Sequence, residues 1–320
     1  MRPLVSTIIP VFNRAAMLAE AVASVVAQTY RPVEIVIVDD GSTDDTGAVA
    51  DQLARAHDFV RVIHQQNSGV GAAREAGRLA ARGEFIQYLD SDDLLYPRKF
   101  ELQVAGLLAQ PECGVSYGWT RARRGGVLSD EPEKRTHLRF ETMFPAMLQS
   151  RIWHTPTPLY RADVVRRAGP WLSLRNEEDW EYDARIASQG VRLHHVAEWI
   201  AEVRFHGGGD HLSTGSAATL ADRAVAHRLI CEHARRAGIT AEAPEMQHYA
   251  RELFLLARQC GAAGHLAESR MLFELAREAS GPHRDRRQFR LYAALARVAG
   301  WSMAGKLATM SDHLRWRRSR

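Results

Sequence analysis

The chain has 320 residues, of which 46% are hydrophobic and 25% charged, which excludes a disordered chain or a coiled coil and leaves room for one large domain or two modest ones. No apolar run approaches the roughly 18–20 residues a membrane helix needs, MRPLVSTIIP lacks the apolar core of a signal peptide, and Cys113, Cys231 and Cys260 are too scattered for a disulfide framework or a CxxC zinc site. The net charge of +4 is uneven: residues 284–320 hold ten Lys or Arg against Asp285 and Asp312, a local balance of +8 that leaves the other 283 residues at about −4. Such asymmetry points to a polyanion or an anionic membrane surface as partner, or to a solvated Arg-rich helix.

In chain order, Val5–Ile9 reads as a strand and Arg14–Gln28 as an amphipathic helix, with Met17, Leu18, Ala21, Val22, Val25 and Val26 at i, i+3, i+4 spacing. Val33–Val38 is a strand ending at Asp39-Asp40-Gly41-Ser42, and Ser42 or Thr43 is expected to cap a helix near 44–56. Phe59–His64 is a third strand. A helix follows Gly69 and ends near Arg82-Gly83. Glu84–Leu89 is a strand running into Asp90-Ser91-Asp92-Asp93, Pro97 suits the first turn of a helix to about Gln110, and Gly114–Thr120 is a further strand. This alternation predicts βαβ units and a mostly parallel central sheet. Residues 121–135 read as a loop or hairpin tip, 151–206 as short alternating elements, and the chain from about Thr219 as helical, with a helical hairpin at Leu253–Ala279.

Ligands of parallel sheets gather beyond the carboxyl ends of the strands. There the chain places Pro10–Arg14, Asp39–Ser42, Asn67–Gly71 and Asp90–Asp93, four polar turns on one rim. Adjacent acids repel, so each pair calls for a reason. Asp39-Asp40 suits hydrogen bonds to a nucleobase or ribose, or a solvated turn, and Gly41 allows close backbone approach. Asp90, Asp92 and Asp93 suit a hard divalent cation, Mn²⁺ or Mg²⁺, which also binds phosphates. Capping of the following helix would account for one Asp but not three.

Taken in order, Val5–Arg14, Val36–Asp45, Asn67–Gly77, Tyr88–Asp93, Asn176–Asp179 and Arg204–His206 resemble the family-2 glycosyltransferases, over roughly residues 3–210. The resemblance implies a GT-A fold, with a glycosyltransferase region at 1–215 (nucleotide-binding half 1–120, acceptor half 121–215) and a helical region with a basic tail at 216–320. It implies a nucleotide pocket lined by Pro10, Phe12 and Asn13, with Asp40 on the base and Asp39 as its supporting neighbour. Arg74 would stand near the nucleotide, with Glu75 where the family usually has Asn. Asp90, with Ser91 beside it, would face the ribose or donor sugar. Asp92 would hold the metal, supplemented by His206 in a closing loop begun by Gly207-Gly208-Gly209. Asp179 would be the general base of an inverting transfer, separate from the metal ligand because base and cation serve opposite ends of the reaction.

A QxxRW motif and membrane helices, which accompany processive members, are absent, so one sugar per turnover is expected. The resemblance implies a nucleotide-sugar donor, UDP-linked by preference, and a carbohydrate or lipid-linked acceptor. A dehydrogenase would need GxGxxG and a P-loop enzyme GxxxxGK[ST], and neither occurs. No nucleic-acid module is recognisable. The non-enzyme alternative is an inactive sugar-nucleotide scaffold acting through its helical tail. Trp153, Trp171 and Trp180 are candidate sugar platforms or ordinary core. The expected compartment is cytoplasmic, and two readings of 284–320 stand open: peripheral contact at the inner face of the membrane, or a helix packed on the catalytic domain with its arginines solvated. There Phe289, Tyr292, Leu295 and Val298 are expected to share one apolar face, with Arg315, Arg317, Arg318 and Arg320 extending the charge.

Overall fold

The computed structural model describes residues 2–206 and 219–318, with side chains to Met310. The Gly207-Gly208-Gly209 run, and the side chains of Arg315, Arg317, Arg318 and Arg320, lie outside the described residues.

The strands are β1 (Val5–Val11), β2 (Val33–Asp39), β3 (Val60–His64), β4 (Phe85–Tyr88), β5 (Leu94–Leu95), β6 (Cys113–Arg124), β7 (Val127–Leu128), β8 (Leu159–Arg161) and β9 (Arg192–Phe205). They form one sheet in the order β3-β2-β1-β4-β8-β6-β9-β5, with β7 paired to β6. β3-β2-β1-β4 run parallel, as βαβ alternation requires, and so do β6 and β9. β8 enters between them antiparallel to both β4 and β6. That short strand reverses the chain direction, so the sheet is mixed rather than uniformly parallel. The hairpin tip turns at Gly125-Gly126 between β6 and β7.

Helices α1 (Ala15–Val26), α2 (Thr46–Ala56), α3 (Val70–Ala80) and α4 (Lys99–Ala109) connect the first strands. β1 is buried along its whole length: Ile9 and Val11 join α1 and α4 in one core, while Ile8 joins the other. A strand covered on both faces reads as the continuous apolar run seen here. α3 lies so close to β1 that a Cβ on Gly77 would sit 2.3 Å from the Ile8 side chain. Capping of α2 differs from expectation. The Thr46 N–H donates to Asp44 at 2.9 Å, whereas Ser42 and Thr43 turn to Asn13.

In the second half, α5 (Ala162–Ala168) and α6 (Glu178–Ala187) precede β9, and α7 (Leu220–Arg236), α8 (Pro244–Ala263), α9 (Leu266–Ala279) and α10 (Arg287–Arg318) follow it. α8 and α9 are the expected hairpin. The core of β4, β6 and α6 continues without a break into α7–α10. α10 is interrupted at Gly300, where φ is +83°. Its expected apolar face is corrected: Phe289 and Tyr292 are buried against Phe254 and Phe273, while Val298 is 88% exposed. Nine residues span two and a half turns at 3.6 per turn, so Val298 lies opposite Phe289. No described helix is long and apolar enough to cross a membrane.

Candidate active site

The β1 rim is shaped by where pairing stops. β4 leaves β1 at Ile8↔Tyr88, two residues before Pro10, which has no N–H to continue a ladder. Pro10 itself is buried in β1. Beyond it Phe12 stands 44% exposed, its ring open at the rim. Asn13 takes the left-handed conformation, φ +51°. Its backbone N–H donates to Ser42 Oγ at 3.0 Å and its Oδ1 accepts the Thr43 N–H at 2.8 Å, joining the β1 and β2 turns.

Asp39 and Asp40 point to different neighbours. Asp39 accepts the Ser42 N–H at 3.1 Å and lies 3.0 Å from His64 Nδ1, whose Nε2 faces Asp51 at 3.1 Å. Burial pushes the Asp39 carboxyl up, but the bonds from Ser42 and His64 outweigh it and hold the pKa below the ordinary value. Asp40 faces the β3–α3 turn instead. Its Oδ1 accepts Gln65 Nε2 at 2.7 Å and the Ser68 N–H at 2.9 Å, and its Oδ2 accepts the Gly69 N–H at 2.8 Å. Gly41 is required here: at φ +75°, a Cβ would lie 2.7 Å from the Asn67 nitrogen. The close approach that Gly41 permits is thus to the chain's own next turn.

The acids after β4 are gripped by arginines. Arg74, buried under Trp171 with its guanidinium 4.8 Å from the ring centroid, donates to Asp90 Oδ1 and to Glu178 Oε1, each at 2.7 Å. Burial alone would weaken its charge, but Asp90, Glu178 and Asp179 raise its pKa instead. Glu75 turns away to bind Arg78 and the Trp171 N–H. Arg14 pairs with Asp92 Oδ2, and Arg204 at the end of β9 bonds the Asp92 carbonyl and, through its N–H, Asp93 Oδ1 at 3.0 Å. Burial, then repulsion from Asp92 and Asp90, pushes the Asp93 carboxyl well up. Ser91 is buried between these acids in sequence. His206 directly follows β9 and is half-buried.

Asp179 sits in the first turn of α6, where the helix N-terminus favours an acid. Its Oδ2 pairs with Arg151, which also reaches Asp183 Oδ2 at 3.0 Å one turn along the helix. Burial pushes Asp179 up, yet Arg151, Arg74 and Lys134 together hold its pKa below the ordinary value, so it is ionised at neutral pH. Asp183 is fully engaged, accepting Trp153 Nε1 at 3.1 Å and the Tyr160 hydroxyl at 2.8 Å. Glu177, which precedes α6 at φ +62°, is fastened by Arg223 at 3.0 Å and lies 2.8 Å from His227 Nε2, both on α7. A non-glycine residue in this conformation persists only where its surroundings over-determine it.

The structure therefore brings Arg74, Asp90 and the start of α6 together and joins Asn13 to the β2 turn. It turns Asp39 away toward β3. Among the described residues, no three His, Cys, Asp or Glu side chains converge to hold an ion. Asp92 and Asp90 still suit a hard cation, because such an ion is held by one or two carboxylates and completed by substrate phosphates. Arg14, Arg151, Glu177, Glu178 and Arg204 were not assigned roles from sequence. A rim carrying this many acids calls for cations nearby, and Arg14 and Arg204 stand at element ends beside assigned residues. Trp153 and Trp171 are core, 1% and 6% exposed, and Trp180 packs against His227 and Tyr249.

The sequence pattern described as "Glycosyl transferase family 2" matches residues 6–168, a span that includes the acids at the ends of β2 and β4. The chain belongs to glycosyltransferase family 2. A glycosyltransferase of Nostoc sp. (strain PCC 7120) is 32% identical over 227 residues, covering 67% of this chain and 68% of that protein. EpsJ of Bacillus subtilis is 32% identical over 216 residues, 62% of this chain and 60% of its own length. Among solved structures, S. aureus TarS 1–349 in complex with UDP-GlcNAc superposes with a TM-score of 0.71 at 18% identity, covering 96% of this chain and 92% of that one. The Pyrobaculum calidifontis mannosyltransferase PcManGT in complex with GDP-Man and Mn²⁺ superposes at 0.52 with 20% identity, covering 98% and 88%. The fold of this family-2 glycosyltransferase is accordingly the GT-A type, extended by C-terminal helices.

Proposed function

We propose that the protein transfers a single sugar from a nucleoside-diphosphate sugar, UDP-linked by preference, to an acceptor hydroxyl with inversion, in glycan or glycoconjugate assembly. The observation that carries this is Arg74, which binds Asp90 on the donor rim and Glu178 beside Asp179 at once. It ties the acids that would face the donor to the helix that bears the base. The exposed Phe12 ring and Asn13 would receive the nucleotide, with Asp40 lining its base. UDP-GlcNAc bound to TarS supports the donor class.

Asp92, with His206 beside the site, would hold a divalent cation, Mn²⁺ or Mg²⁺, and PcManGT solved with Mn²⁺ supports this. Such an ion, when bound, neutralises the diphosphate that departs. Arg14 would hand Asp92 over on binding. On the acceptor side, the ionised Asp179 carboxylate takes the proton from the attacking hydroxyl. Arg151 fixes its orientation through Oδ2. Attack from the side opposite the diphosphate inverts the anomeric carbon. No observation favours the inactive-scaffold alternative.

The test is turnover with a panel of sugar nucleotides, with and without Mn²⁺, against Asp92→Ala. The expected result is nucleoside diphosphate release that chelation and Asp92→Ala both abolish, with the fold intact by circular dichroism. Full activity in chelator would remove the metal from the proposal. No release from any donor would remove the transfer itself.

A further inference from the structure

Burial of Phe289 and Tyr292 leaves the opposite side of α10 to be explained. Eleven large apolar side chains are conspicuously exposed among the described residues, and five belong to this one helix. Leu291 and Val298, 58% and 88% exposed, are two turns apart and share a face before Gly300. Met303, Leu307 and Met310, each 46–61% exposed, recur at i, i+4, i+7 after it. Exposed apolar rows of this kind mark contact surfaces.

The charge around them is of one sign. No Asp or Glu occurs from Arg286 to Ser311. Arg287, Arg290, Arg297 and Lys306 are exposed and take part in no ion pair within the described residues. The neighbouring helices differ: α8 carries Glu245 and Glu252, and α9 carries Glu268, Glu274 and Glu278. A second copy of this chain does not fit the face. A two-fold contact would set these cations against themselves with no acid between. An apolar row flanked by unpaired cations matches a surface that is apolar beneath and anionic above.

We propose that the outer face of α10 docks the protein on an anionic lipid surface, with Leu291, Val298, Met303 and Leu307 entering the headgroup boundary and Arg290, Arg297 and Lys306 meeting lipid phosphates. The face is separate from the strand-end rim, and the proposal holds whatever the sugar donor.

The experiment is flotation of the full chain with vesicles of mixed phosphatidylcholine and phosphatidylglycerol, and with pure phosphatidylcholine, at low and high salt. The protein floats with the mixed vesicles only, and high salt weakens this. A variant with Leu291, Val298, Met303 and Leu307 all changed to Gln loses flotation. A variant with Arg290, Arg297 and Lys306 changed to Gln binds on the order of a hundredfold more weakly. All these side chains are exposed, so both variants keep the parent melting temperature and turnover in free solution. Failure of the parent to float with mixed vesicles at low salt overturns the proposal, as does flotation of the apolar variant at parent level. If the apolar variant instead converts a dimeric parent to monomer in light scattering, the face is a self-association surface and the proposal fails.

Discussion

Asp40 and the acids at the start of α6 are held by different means. Asp40 is held by the backbone N–H groups of Ser68 and Gly69 and by the Gln65 amide, all in the β3–α3 turn. At the start of α6, Asp179, Asp183, Glu177 and Glu178 are held by guanidinium and imidazole groups drawn from the 151 loop, α3 and α7, as the acids after β4 are held by Arg74 and Arg14. A backbone amide is a fixed dipole, present whatever side chain the residue carries. A cation is a single replaceable group, and removing it strands a buried charge. The Asp40 turn should therefore yield gradually to substitution, and the cation-held acids abruptly.

The sharpest break is Arg151→Met. It leaves Asp183 buried with only Trp153 and Tyr160 as donors and removes the chief cation lowering Asp179. Loss of a buried pair partner costs on the order of 3–5 kcal/mol. Urea unfolding measures this, and a loss below about 1 kcal/mol would fall within the range of an exposed surface pair. Asp40→Asn is milder. One accepting carboxylate oxygen becomes an NH2 donor that faces a donor of the β3–α3 turn, at about 1–3 kcal/mol. If it exceeded Arg151→Met in the same unfolding series, the contrast between amide-held and cation-held acids would be wrong.

The smallest effect concerns pH. The His154 imidazole 3.7 Å away and a 2.7 Å bond from Arg124 pull Glu133 from its ordinary 4.5 to about 2. A depressed folded pKa means that its stabilisation is full above about 4.5 and is lost as pH falls toward 2. Glu133→Gln should therefore lose less melting temperature than the parent over that interval. Parallel curves would show that Glu133 carries none of the acid sensitivity.

Much of the fold of residues 1–120 was legible because its signals are local. β2 and β3 begin and end within a residue or two of expectation, as apolar runs between polar turns impose. β8 was not legible: three residues carry no periodicity, and antiparallel entry depends on the sheet rather than on the strand. The Ser42 and Thr43 hydroxyls had two uses, capping and bonding Asn13, and only tertiary structure chose between them. In α10 the three-residue steps drifted around the helix, so four apolar side chains that looked aligned are divided between core and solvent. The acids of the site were visible as motifs. Arg151 was not, because nothing in its loop distinguishes it until α6 packs beside it.

The central claim is that Asp179 serves the acceptor while the β4-end acids serve the donor. Its most direct test is Asp179→Asn, measured for donor affinity by calorimetry and for turnover on the same preparation. The account predicts a turnover loss of ~10²–10⁴-fold with donor affinity unchanged. Weakened donor binding with turnover retained would place Asp179 on the nucleotide and contradict the division of roles.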